Sequence, residues 1–142
     1  MNDIIERARP DSPTDMVILL VAANNGDAVE GVVHLDKMLM LLMDMDVFPL
    51  ECFETTTKPY KYGPFMETLL DDLQSLEEMG FLQMHGTTIT CSDFGKATRG
   101  IYDLSPNQAR ALAIVKGLVG HMDLQSILNV AYQNHLGKRD FE

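Results

Sequence analysis

The stretch that decides the fold is Leu76-Glu77-Glu78-Met79-Gly80-Phe81-Leu82-Gln83-Met84-His85-Gly86-Thr87-Thr88-Ile89-Thr90-Cys91. Its first half closes a helix. Leu73 and Leu76 continue an apolar stripe at helical spacing, and Gly80 is a natural C′ residue because glycine enters the left-handed region without steric cost. Its second half changes period. Phe81 to Met84 and Thr88 to Cys91 are short β-prone runs around His85-Gly86, which reads as a hairpin. The chain therefore turns from a helix straight into a β-hairpin.

Upstream, Gly63-Pro64 opens this helix, predicted over 64–79, with Pro64 at or near the first helical position. Phe48 to Pro59 has no helical period, and the reading allows a short strand around Cys52 to Thr55. Before that a helix is predicted over 34–45. Leu35, Met38, Leu39 and Leu42 form one face, with Met40, Met43 and Val47 on another side. A helix apolar most of the way round is expected to be buried on most sides. Gly26 to Val33 is read as a loop. The first helix begins at Ser12-Pro13, an N-cap followed by a helix-entry proline, carries the apolar run Met16 to Ala23, and ends at Asn24-Asn25-Gly26.

Downstream, Ser92-Asp93 starts another helical stretch reaching roughly Tyr102. Ser105-Pro106-Asn107-Gln108 combines an N-cap, a helix-entry proline and a capping-box glutamine, opening a helix from Pro106 to about Val119. Asp123 then caps a last helix in which Leu124, Ile127, Leu128, Ala131 and Tyr132 repeat at helical spacing. The order of three helices, a hairpin and further helices is that of a winged helix, a helix-turn-helix variant, with a C-terminal helical extension. The expected organisation is mainly α. Residues 1–11 form a polar arm, 12–103 the winged-helix core, 104–136 a helical hairpin packed on that core within the same domain, and 137–142 a tail.

The 142 residues suit one domain, and 46% hydrophobic composition supplies one sizeable core. Net charge is −10. Residues 1–95 carry a net of −12 and residues 96–142 a net of +2. Such a balance opposes general binding to nucleic acid or anionic membranes. No apolar run approaches the length of a membrane span. The opening MNDIIERARPDS mixes acids with bases and lacks an apolar segment, so it does not read as a secretory signal. Cys52 and Cys91 are widely separated with no CxxC, which suggests buried thiols in a reduced, cytoplasmic setting.

Several segments carry a resemblance. Leu35-Asp36-Lys37-Met38-Leu39, Tyr62-Gly63-Pro64-Phe65, Leu70-Asp71-Asp72-Leu73 and Leu76-Glu77-Glu78-Met79-Gly80-Phe81-Leu82 resemble the Panacea antitoxin domain and related small prokaryotic and archaeal winged-helix proteins of unknown function. The similarity covers about residues 14–100. The Y-G-P turn is its most specific part, whereas L-E-E-x-G-F occurs in many unrelated winged helices. The Met-rich 34–45 helix departs from the usual pattern. So does Val32-Val33, where many relatives have a basic residue. The resemblance implies an antitoxin-type or regulatory role acting through protein contacts.

The residues show no phosphate-binding loop, dinucleotide fingerprint or nucleophile elbow. None of His34, His85, His121 and His135 has a second His or Cys at metal-ligand spacing. Asp71-Asp72 and Glu77-Glu78 are adjacent pairs, about 100° apart on a helix, and read as solvated surface rather than acid/base sites. The expectation is a non-enzyme with no cofactor and no metal.

In a winged-helix DNA binder the 64–79 helix would read the major groove. Its stripe Met66, Leu69, Leu70, Leu73 and Leu76 is expected to face the core. The opposite face carries Glu67, Asp71, Gln74 and Glu78 at i, i+4, i+7 and i+11, and the helix interior has no Lys or Arg. Phosphates repel such a face, whereas a basic protein suits it. Met40, Met43 and Val47 are candidates for an adaptable apolar partner surface, though the 106–119 helix and the one after it also need apolar ground to pack on. Lys58-Pro59-Tyr60-Lys61-Tyr62 interleaves bases with aromatics, which suits phosphate or partner contact by Lys58, Tyr60, Lys61 and Tyr62. The same pattern also describes a loop whose tyrosines pack while its lysines stay wet.

The leading expectation is a regulatory protein-interaction module of antitoxin type. It would bind a toxin or other basic protein through Met40, Met43, Val47, Glu67, Asp71, Gln74 and Glu78. The alternative is a dimeric DNA-binding regulator using the wing near His85-Gly86 or the basics Lys96, Arg99, Arg110, Lys116, Lys138 and Arg139.

Overall fold

A computed structural model describes residues 8–54, 65–123 and 125–127. The described chain is mainly helical with one small antiparallel hairpin. Its helices are α1 (Pro13–Gly26), α2 (Val32–Met45), α3 (Met66–Glu78), α4 (Asp93–Arg99) and α5 (Pro106–Val119), and its strands are β1 (Leu82–His85) and β2 (Thr88–Cys91).

The local signals act as read. Ser12 accepts the Asp15 N–H at 3.2 Å and starts α1. Ser105 and Gln108 form a reciprocal capping box at 3.1 and 3.0 Å. Gly80, at φ +88°, ends α3 in a Schellman arrangement. There the Phe81 N–H reaches the Leu76 carbonyl and the Gly80 N–H reaches that of Glu77. The hairpin pairs Leu82 with Cys91 and His85 with Thr88.

Four local expectations need correction. The strand expected near Cys52 is a short 3-10 turn, Leu50–Phe53, pinned by a Cys52 N–H bond to the Pro49 carbonyl; Thr55 lies outside the described residues. Helix α2 begins at Val32, where Gly31 supplies an extended N-cap, rather than at His34. Helix α4 stops at Arg99, short of Tyr102. The 26–33 segment contains a β-bridge: Val29 and Ile89 exchange both main-chain hydrogen bonds, at 2.9 and 2.7 Å, and add a third position to the hairpin. At the other end of the core, Ala8 bridges to Tyr102 and ties the end of the N-terminal arm down.

Helix α1 is central and touches all four other helices. Met16, Val17, Leu19, Leu20 and Val21 are buried there, as expected of a helix apolar on every side. Its helical path ends before Ala23, and Asn24 and Asn25 take left-handed conformations. The freed carbonyls of Val21 and Ala23 accept bonds from Lys116 Nζ of α5 at 2.8 and 2.6 Å. Lys116 is only 1% exposed, and burial pushes its pKa down to about 8. A buried ammonium thus caps α1 from a distant element.

Candidate functional site

Helix α3 is positioned by α2. Leu69, Leu73 and Leu76 are buried against the core, and the helix packs on α1 and α2. The main-chain N–H of Phe65, at the helix entry, donates to Asp36 Oδ1 at 2.9 Å. Asp36 is completely buried, and its Oδ2 stands 3.0 Å from Lys37 Nζ. Burial raises the Asp36 pKa, while Lys37 and the Phe65 N–H oppose that rise.

With its inner stripe committed, α3 turns Glu67, Asp71, Gln74 and Glu78 to solvent, and all four are exposed. No Lys or Arg lies within the helix. One expectation fails on the inner side: Leu70 is 52% exposed and does not belong to the core stripe. The acidic pairs also split. Asp71 is exposed, but Asp72 accepts a 3.0 Å bond from the Thr14 hydroxyl and is half-buried, and that burial raises its pKa. Glu77 accepts the Met84 N–H at 2.7 Å and so braces the hairpin against α3.

Met40, Met43 and Val47 are half-buried and pack against the core, and the Val47 carbonyl accepts a 2.9 Å bond from Gln108 of α5. Helix α5 packs on α2, and the three side chains are partly covered rather than forming an open apolar patch. Lys58, Tyr60, Lys61 and Tyr62 lie outside the described residues, as do Lys138 and Arg139. Of the other cations read as DNA contacts, Lys96 and Arg110 are exposed and Arg99 is half-buried. Lys116 is in the core and cannot reach a phosphate.

A site that sequence reasoning missed lies where the 27–34 segment meets the turn after α5. His121 bridges Asp27 at 2.8 Å and Glu30 at 3.2 Å. The hydrogen bonds to Asp27 and Glu30 raise its pKa. His34 Nε2–H donates to the Met122 carbonyl at 2.6 Å. The Nδ1 of the same ring is buried with no partner among the described residues. Both contacts join residues far apart in the chain, so no spacing rule could have found them. Beside them opens a groove of about 750 Å³ between α2, α3 and the hairpin.

The thiols are chemically quiet. Burial pushes Cys52 up to about 11 and raises Cys91 as well, the reverse of what an activated thiolate needs. Among the described residues no group of three or more His, Cys, Asp or Glu could hold a metal ion. No described helix is long and apolar enough to cross a membrane. No family model, curated protein or solved structure matches this chain.

Proposed function

We propose that this chain is a non-enzymatic regulatory module of winged-helix type, with an antitoxin-like role, that binds a basic protein through the outward face of α3. The order of elements supports the winged-helix part. A helix, the single paired position Val29, two helices and a hairpin follow one another. One observation carries the functional part. Glu67, Asp71, Gln74 and Glu78 stand exposed together on a helix that contains no Lys or Arg. Such a face repels phosphates and steers a basic partner toward itself.

Charge reversal tests this reading. Glu67, Asp71 and Glu78 would be changed together to Lys, and tagged wild-type and variant chains would be purified from the native cell at low and moderate salt. A stoichiometric basic partner should accompany the wild type and be lost from the variant, while both melt alike. Equal recovery of that partner on the variant refutes the acidic-face mechanism. The dimeric DNA-binding reading keeps Lys96, Arg99 and Arg110 as its described cations. It requires salt-dependent retention of duplex DNA by the wild type.

A further inference from the structure

The groove beside α3 has the size and lining of a small-molecule site. Its volume of about 750 Å³ falls within the ordinary range for such pockets. The walls are apolar and come from four elements: Val32 and Val33 from the start of α2, Leu70 and Leu73 from α3, Met84 from the hairpin, and Met122 from the turn after α5. Leu70 explains itself here. A lone exposed leucine needs no account, but this one continues the wall of a concave surface.

The charge on the lining is one-sided. Glu30, Glu77 and Asp123 border the groove, and no Lys or Arg does so among the described residues. Each carboxylate is anchored. Glu77 accepts the Met84 N–H, Glu30 stands against His121, and Asp123 accepts from the N–H and the hydroxyl of Ser126. These contacts fix where the three exposed carboxylates stand along the rim. His121 offsets part of that charge when protonated, which leaves the rim acidic. His34 is also among the lining residues and is 5% exposed. Its Nε2 is committed to the Met122 carbonyl, and its buried Nδ1 has no partner among the described residues.

From apolar walls and an acidic rim without Lys or Arg among the described residues, we infer that this groove binds a small hydrophobic cation, with an apolar body and a positively charged head. An anion of the same shape is disfavoured by the three carboxylates. This inference does not rest on the proposed protein partner, and it is tested without one.

The probe is 9-aminoacridine, a planar fluorescent cation at neutral pH. It is titrated with the full chain and followed by fluorescence anisotropy. Its anionic counterpart of similar ring area is 9-anthracenecarboxylate. Saturable one-to-one binding of the cation is expected, at least about tenfold tighter than that of the anion. Leu70→Arg, at an exposed position, adds a positive charge and removes part of the wall. It should weaken cation binding by about tenfold or more. Glu77→Gln keeps an acceptor for the Met84 N–H and removes only charge, so it should weaken binding severalfold without moving the melting temperature. Should Leu70→Arg fail to fold by circular dichroism, Glu77→Gln decides alone. The inference is overturned by no saturable binding, by equal affinity for cation and anion, or by binding that neither substitution weakens.

Discussion

Asp36 Oδ1 accepts the main-chain N–H of Phe65 at 2.9 Å, so a buried carboxylate on α2 serves the helix-entry donor of α3. Two helices that share no local sequence are joined by one charged hydrogen bond, with Lys37 Nζ 3.0 Å from the other oxygen. Asp36→Ala removes the acceptor and leaves the buried Lys37 unpaired, which should cost about 3–5 kcal/mol in urea unfolding. Asp36→Asn keeps an acceptor and should cost less. The pH dependence has a definite sign. Burial raises the folded pKa above the ordinary 3.8, so the folded chain holds a proton that the unfolded one has released. Stability from this group therefore falls as pH rises from 3.8 through the raised value. Asp36→Asn should flatten that fall; an unchanged slope would assign it to other groups.

Lys116 and His121 impose opposite slopes at higher pH. The folded pKa of His121 is raised, chiefly by the hydrogen bond it donates to Asp27 and then by the one it donates to Glu30. Its contribution is complete below the ordinary 6.5 and is lost as pH rises through the raised value. Lys116 is pushed by burial from 10.5 to about 8. The unfolded chain then binds a proton that the folded one lacks, and stability rises with pH between those two values. Melting temperatures measured across the whole interval should dip above 6.5 and recover above about 8. His121→Ala should remove the dip. Lys116→Ala should remove the recovery and destabilise the chain by about 2–4 kcal/mol, because two buried carbonyls lose their donor.

Leu69 and Leu70 are neighbours with opposite roles. Leu69 is 1% exposed and Leu70 is 52% exposed. Leu69→Ala should lower stability by about 2–5 kcal/mol through lost burial and a cavity. Leu70→Ala should change it by less than about 1 kcal/mol. Chemical denaturation of the two single variants checks the pair, and equal losses would place Leu70 in the core after all.

Gly95 of α4 fits where no side chain can. A Cβ there would stand 2.2 Å from the Phe81 carbonyl oxygen and 2.8 Å from Cys91 Sγ. Gly95→Ala should therefore destabilise by about 1–3 kcal/mol, although alanine is the better helix former by about 1 kcal/mol. Gly117 of α5 is the control. Its nearest neighbour to a new Cβ is Asn24 at 3.9 Å. Gly117→Ala should raise stability by about 0.4–1 kcal/mol. Thermal melts that move both variants the same way would contradict the packing at Gly95.

What the sequence by itself determined was local. Ser12, Ser105 with Gln108, Gly80 and the His85-Gly86 turn act through hydrogen bonds that close within a few residues, so their meaning is present in the chain before it folds. The exposed stripe of Glu67, Asp71, Gln74 and Glu78 was legible for a similar reason: helical spacing places those acids opposite an apolar face. The tertiary structure decided the rest. Asp36 and Lys116 carry side chains that composition assigns to the surface, yet they are buried because distant groups meet them there, and Lys37 is buried beside Asp36. Leu70 belongs to an apolar stripe by spacing, and it is exposed because no described element covers that edge of α3. Val29 pairs with Ile89, and His34 with Met122, across long stretches of chain. A local pattern states which groups need a partner or a cover. Only the packing of distant segments determines which of them receive one, and the groove beside α3 lies where Leu70 and His34 Nδ1 have received none among the described residues.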